Sequence, residues 1–360
     1  MKPLIKHFRS VDEFAPEAWD RLARGADIAL SFGWVRITET TGDAETIYFA
    51  LERTGSMVGV LPATIAQPDA PWLLTRTDAV LVQCADDGDE SAGRIRASLT
   101  TEPAEALLPG LVLGGRHAGR TSLVQDPSLT EDEIDELIAS AEDFARSRDL
   151  KSLAFLYVDD RDEKLRACLE ARGYERWVSG IDSDLSLPGG GFEPYLAQFP
   201  SRRRSKIRID RKLVMDSTFR IRSIDLSDET LWRAAELEHM LFAKYGIDNW
   251  STERSYRGLT GARENLNRPF IVVAEDEDGE MIGFSLVAEF HGEWYAVRAG
   301  FDYDKQNGVP LYYELVYYSL IEMAASEGVT KIHYGMGSVK AKAIRGCVGT
   351  VQHGYLKQMG

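Results

Sequence analysis

Residues 281–335 read MIGFSLVAEF HGEWYAVRAG FDYDKQNGVP LYYELVYYSL IEMAASEGVT KIHYG, and the fold is decided there. Residues 281–290 are an almost unbroken apolar run rich in strand formers, His291-Gly292-Glu293 turns the chain, and residues 294–301 (WYAVRAGF) return as a strand. A loop over 302–309 precedes Pro310, which opens a helix running to residue 327, where Gly328 ends it. Proline just inside the start and glycine just past the end match the preferences of the two termini. Residues 331–335 (KIHYG) are again a strand, and upstream 269–275 (PFIVVAE) pairs with 281–290 around the turn DEDGE. Antiparallel strands followed by a helical crossover and a further strand make an α/β (α+β) fold with a mixed, twisted sheet.

Outward from this stretch, residues 219–224 read as a strand with alternating arginines, Ser227 caps a helix to about residue 244, and 351–356 is a last strand. The first half repeats the order. Helices are expected over 16–24 and around 31–39, and 46–53 (TIYFALER) and 57–66 (MVGVLPATIA) form a hairpin across Thr54-Gly55-Ser56. Residues 67–107, rich in Pro, Asp, Gly and Ser, read as an insertion without an assignable structure. Apolar runs at 106–114 and 121–125 lead to a helix opened by the capping box Thr130/Glu133, a strand at 152–158, a helix at 161–172 and a strand at 174–187. Pro188-Gly189-Gly190-Gly191 breaks the chain into an expected first domain, 1–190, and a second, 191–360. The shared element order reads as an internal duplication.

Composition narrows the function. The chain has 360 residues, 44% hydrophobic and 28% charged, enough apolar side chains for two cores. No apolar run approaches the roughly 18 residues a membrane span needs, and the opening MKPLIKHFRSVDEF lacks a signal h-region. A cytoplasmic location without membrane association is therefore expected. Cys84, Cys168 and Cys347 are too far apart for a disulfide framework, and no His-x-x-x-His pair, Gly-x-Ser-x-Gly elbow or Walker loop occurs. No metal site is expected. The net charge of −15 hides an asymmetry: residues 1–200 carry 20 Lys and Arg against 35 Asp and Glu, whereas 201–360 carry 22 of each. Within the neutral half, seven of the eleven residues 202–212 are Lys or Arg (202, 203, 204, 206, 208, 211, 212), with Asp210 the single acid. The segment suits either a phosphate-binding stripe or a solvated helix face. Arginine predominates, which favours phosphate forks.

Four stretches carry a resemblance to a known family. They are Trp19 with Phe32-Gly33-Trp34, the basic segment from Arg202 to Lys212, Arg298-Ala299-Gly300 leading into Asp302-Tyr303, and Gly335-Met336-Gly337 followed by Lys340, Lys342 and Arg345-Gly346. With the strand–loop–helix–strand order of 281–335, these resemble the Fem-like, double-GNAT acyltransferases, which include aminoacyl-tRNA-dependent transferases and acyl-CoA relatives. The resemblance implies two tandem GNAT-like domains, each a mixed twisted sheet flanked by helices. It implies a transferase moving an aminoacyl group from charged tRNA onto the amine or hydroxylamine of a small molecule. Attack is direct, without a covalent enzyme intermediate, and no cofactor is tightly bound. An acyl-CoA-dependent N-acyltransferase and a non-catalytic ligand-binding relative are the alternatives. One departure bears on the donor: GNAT enzymes hold the coenzyme A pyrophosphate on the N–H groups of a glycine-rich loop at a helix start. Here that loop is Lys305-Gln306-Asn307-Gly308-Val309-Pro310, and proline has no N–H to give.

In the scheme that the resemblance implies, a strand N–H receives the oxyanion where two parallel strands, 294–301 and 331–335, splay apart. Arg298, Asp302 and Tyr334 are the expected catalytic residues, with Asp302 as base and Tyr334 donating to the leaving group. Trp34, Tyr295, His333 and Tyr312 are expected to touch substrate. Arg202, Arg203, Arg204, Lys206, Arg208, Gly308, Lys340, Lys342 and Arg345 are expected to meet phosphate or RNA. Each has a plainer role open to it: Tyr334 as a core aromatic, Arg298 as an ion-pair partner, the tail cations as a salt-bridged loop.

Overall fold

The computed structural model describes residues 4–42, 44–70, 72–115, 120–247 and 250–359. Its contacts divide the chain into two units: unit 1 is Met1–Asp182 with Thr350–Gly360, and unit 2 is Ser183–Gly349. The divisions fall inside strands, whereas the sequence placed one boundary at the glycine run and assigned the whole C-terminus to the second domain.

Unit 1 opens with β1 (Leu4–Phe8), α1 (Pro16–Leu22) and α2 (Phe32–Thr41), then the hairpin β2 (Thr46–Arg53) and β3 (Ser56–Ala66). The stretch 67–107 is not irregular: it folds into α3 (Thr77–Asp86), α4 (Glu90–Ser98) and α5 (Pro103–Leu107). Asp89 caps α4 through Ala92 N, and Pro103 opens α5. The Asp and Pro that suggested a loop are thus terminus signals. β4 (Gly110–Leu113), β5 (Val124–Gln125), α6 (Glu131–Ser147), β6 (Ser152–Asp159), α7 (Glu163–Ala171) and β7 (Glu175–Ser186) follow. Thr130 and Glu133 form the expected capping box on α6, whose Ile134, Leu137, Ile138, Ala141 and Ala145 are buried at helical spacing.

Unit 2 begins with α8 (Phe192–Ala197), α9 (Ser201–Met215), β8 (Arg220–Ile224), α10 (Asp228–Lys244) and α11 (Thr252–Asn265). Then come β9 (Asn267–Glu275), β10 (Met281–Phe290) and β11 (Glu293–Phe301). The helical run after the loop is α12 (Leu311–Tyr313), a π-helical turn over Glu314–Tyr318, and α13 (Ser319–Glu327), closed by Gly328 at φ +72°. β12 (Lys331–Gly335), the short α14 (Val339–Ile344) and β13 (Val348–Gln358) complete the chain.

Within unit 1 the strand order is β1-β2-β3-β4-β6-β13, antiparallel except for the parallel pair β4/β6. Unit 2 follows the same plan as β8-β9-β10-β11-β12-β7, with β11/β12 as the parallel pair. The last place in unit 1 is taken by the end of the chain, and the last place in unit 2 by the end of β7. Each unit has its own core. Phe49, Leu153, Phe155 and Tyr355 anchor the first, and Trp294, Phe301, Leu315 and Ile332 the second, all buried. No helix among the described residues is long and apolar enough to cross a membrane.

Candidate active site

In unit 2, β11 and β12 are bonded only at Trp294–Ile332 and Tyr295–His333, although β11 runs on to Phe301 and β12 to Gly335. Two neighbouring irregularities open the sheet beyond that rung. Against β10, Ala296 faces Val287 and Arg298 faces Leu286, so Val297 is the extra residue of a bulge. Against β7, His333 faces Asp184 and Gly335 faces Ser183, which makes Tyr334 the extra residue there. A bulge residue drops out of the ladder and bends its strand, a device common beside active sites.

Strand alternation sorts the side chains around this opening. Tyr295, Arg298 and Gly300 pair with Ala288, Leu286 and Phe284, and together they face α10 and α11. A Cβ on Gly300 would meet the backbone of Leu237 and Glu238, and one on Gly258 would meet the Arg298 guanidinium, so the two glycines bring the helices down onto this face. Arg298 is spent there: its Nη1 donates to both oxygens of Glu238, at 3.1 and 2.9 Å, with Glu238 only 2% exposed. The plainer role, a structural ion pair, is the one the geometry assigns it. On the same face the His333 ring lies flat on Tyr295, 4.1 Å between centroids at 5°, and its Nε2 is 2.6 Å from Glu293 Oε2. Burial pushes the Glu293 carboxyl up, but hydrogen bonds from His333 and Lys331 and their charges outweigh it and hold the group below the usual range. Glu293 was missed by sequence reasoning because it sits in an ordinary turn triplet.

Tyr334 faces the other side, in the core with Ile332 and 4.6 Å from the Tyr317 ring. Burial raises its phenol far above the ordinary value, so it keeps its proton at neutral pH. Its hydroxyl is buried without a hydrogen-bond partner among the described residues, a state that costs about 1–3 kcal/mol. Tyr334 and Arg298, both expected as catalytic residues, therefore lie on opposite faces of the sheet. The π turn places Tyr317 and Tyr318 inward together, and Tyr312 packs between Phe301 and Tyr317. Such turns are frequent at functional sites.

The expected phosphate residues separate into two groups. Lys342 is 4% exposed, and its Nζ donates to the carbonyls of Tyr334, Gly335 and Met336 at 2.7–2.8 Å. It ties the glycine turn to β12 and leaves the phosphate set. Arg345 leaves it too: it is buried, stands 3.2 Å over the Tyr313 ring, donates to Ala341 O and lies 3.9 Å from buried Asp210. The short α14 carries Lys342 and ends at Arg345, its C-cap. On α9, Ile207, Asp210 and Val214 face inward. Arg204 is bonded to Phe199 O, Lys206 to Asp210, Arg208 to Glu193 and Lys212 to Asp216. Arg202, Arg203 and Lys340 are exposed and have no acidic partner among the described residues. Asp302 accepts from the N–H groups of Asp304 and Lys305, so it holds the 302–310 loop rather than standing free as a base. At the helix start, Val309 N donates to Gln306 O, Leu311 N to Val309 O and Tyr313 N to Pro310 O. Pro310 has no N–H to give, whereas the N–H groups of Gln306, Asn307 and Gly308 have no acceptor among the described residues, and Gly308 at φ +80° stands clear of neighbouring atoms.

Unit 1 closes the corresponding position. Its parallel pair runs four rungs, from Gly110–Ser152 to Leu113–Phe155. Beyond them Thr121 takes the place of a strand residue: its N donates to Tyr157 O, its Oγ1 accepts from Tyr157 N, and Ser122 N donates to Gly114 O. Trp34 is buried in unit 1 on α2, capped by Ser31.

A family model described as peptidoglycan biosynthesis and recognition, FemAB-like, matches residues 117–357. No curated protein sequence matches. Among solved structures, FemX is similar at 13% identity and TM-score 0.62, over 99% of this chain and 97% of that one. A tandem GNAT protein from the clavulanic acid pathway is similar at 13% identity and TM-score 0.56, over 100% and 99% of the two chains. L-PGS from Bacillus licheniformis is similar at 13% identity and TM-score 0.53, over 95% and 91%. These likenesses show the tandem GNAT fold. With two units of one strand plan, and a family match over most of its length, the chain belongs to the FemAB-like family of peptidoglycan-related transferases and is an acyltransferase.

Proposed function

We propose that unit 2 transfers an aminoacyl group from charged tRNA onto the amine or hydroxylamine of a small molecule by direct attack. The observation that carries this is the parting of β11 from β12 after the Tyr295–His333 rung. It exposes strand backbone to a carbonyl laid between the strands, and the Val297 bulge N–H is the donor for the oxyanion. Tyr334, a protonated phenol, donates to the departing oxygen. Tyr295, His333 and Tyr312 surround the acyl group, while Arg202, Arg203, Lys340 and the Gly308 loop meet carrier phosphates. The helix start supports this donor choice, because Pro310 leaves the pyrophosphate loop one N–H short and Val309, Leu311 and Tyr313 donate internally. Exposed arginines on α9 suit a longer polyanion.

The test is incubation with charged tRNA and a panel of amines, hydroxylamine and a soluble peptidoglycan-precursor peptide, following loss of the aminoacyl ester. Accelerated loss with a small amine supports the reading. Turnover only with the precursor peptide reassigns the acceptor. Turnover only with acyl-CoA, with micromolar binding of coenzyme A by calorimetry, reassigns the donor to the thioester class.

A further inference from the structure

His333 stands at the last bonded rung before β11 and β12 part, with a flat aromatic neighbour on one side of its ring and a carboxylate on one nitrogen. We propose that His333 is the general base that takes the proton from the attacking amine, and that Glu293 is the positioning residue that holds the ring and leads the proton toward solvent. The proposal rests on the transferase reading of the opening between these strands.

Three observations carry it. First, an ionised Glu293 accepts a hydrogen bond, so Nε2 carries the proton and the lone pair is left on Nδ1. A base needs one free nitrogen and one occupied by an orienting partner, and this pairing supplies both. Second, the stack on Tyr295 fixes the ring plane, so the lone pair has one direction. The His333 side chain is 10% exposed and that of Glu293 35%, so the dyad runs from the interior to water. Third, His333 and Tyr334 are consecutive on β12 and lie on opposite faces, one with Tyr295 and the other with Tyr317. A base and an acid placed this way serve the two sides of one carbonyl. The amine nitrogen attacks the ester carbon and forms C–N, and its proton passes to Nδ1. The C–O bond to the carrier then breaks, and the leaving oxygen takes the Tyr334 proton.

The groups facing His333 are Glu293 and Tyr295 on β11, Asp184 on β7 and Lys331 on its own strand. His333→Phe keeps the flat ring on Tyr295 and removes both nitrogens. Single-turnover formation of aminoacyl hydroxamate from charged tRNA and hydroxylamine is expected to slow by about 10²- to 10⁴-fold, with donor binding and Tm held. Glu293→Gln is expected to slow it less and to lower the share of the Nε2-protonated tautomer in nitrogen NMR, since an amide oxygen is a weaker acceptor than the carboxylate it replaces. Nitrogen NMR of the resting protein gives a readout independent of turnover: the neutral imidazole is expected with its proton on Nε2. An Nδ1-protonated ring, or unchanged turnover in His333→Phe, overturns the base assignment while leaving the transferase reading intact. A parent protein that accelerates transfer from neither charged tRNA nor acyl-CoA overturns the transferase reading and the base with it.

Discussion

At the scale of single residues, Arg298 on β11 and Glu238 on α10, 60 positions apart in the chain, form a buried ion pair in which one guanidinium nitrogen donates to both carboxylate oxygens. Removing one member of such a buried pair strands the other charge, which costs about 3–5 kcal/mol, whereas an apolar pair of similar volume is often tolerated. Arg298→Ala is therefore expected to lower stability in urea unfolding by about that amount. The double variant Arg298→Met with Glu238→Leu should recover most of the loss and turn over near the parental rate. A stable but inactive double variant would return Arg298 to the catalytic set. Local sequence shows a residue's chemical type and hides its partners: Glu238 is too distant for any local pattern to reveal, and Lys342, five residues past a glycine motif, suggested phosphate although three carbonyls already occupy its ammonium.

At the scale of elements, strands and capped helices were readable because their signals are local. The TIYFALER and PFIVVAE runs and the Thr130/Glu133 box all form the expected elements. Helix α11 was invisible for a physical reason. Its buried residues are the small Ser255, Gly258, Gly261 and Ala262 with Leu259 as the single large apolar side chain, so no hydrophobic period marks it. β1 was missed because it is an edge strand with no fully buried residue. Helix α9 was legible as a basic segment, and the structure then divides its cations. Those at 204, 206, 208, 211 and 212 are engaged by the protein itself, whereas Arg202 and Arg203 project from the first turn. Each phosphate contact contributes about 0.7–0.9 to the logarithmic salt slope of nucleic-acid binding. Arg202→Ala with Arg203→Ala should flatten the slope for tRNA by about one to two and weaken binding more at low salt than at high. Equal weakening at every salt concentration would show that α9 does not meet the phosphate backbone.

At the scale of the whole molecule, the duplicated strand plan was readable as element order, but the difference between its copies was not. Both units carry an antiparallel set followed by one parallel pair, and sequence patterns cannot say whether such a pair stays closed. The outcome depends on hydrogen bonds made by loops: Thr121 and Ser122 continue the ladder in unit 1, while bulges at Val297 and Tyr334 interrupt it in unit 2. With the parallel pair continued by loop hydrogen bonds in one copy and interrupted by bulges in the other, the proposal that unit 2 carries the chemistry predicts opposite responses to paired substitutions. Thr121→Val strands the buried Tyr157 N–H and should cost about 1–3 kcal/mol of stability, with turnover per folded molecule unchanged. Val297→Pro removes the bulge N–H, from a residue with no paired partner on β10, and should lower kcat by about 10²- to 10³-fold with a smaller effect on unfolding. Stability curves and single-turnover rates on the two variants separate the cases. If Thr121→Val abolished transfer while Val297→Pro left it intact, the reacting carbonyl would have to lie against unit 1, and the open pair in unit 2 would be a scaffold feature.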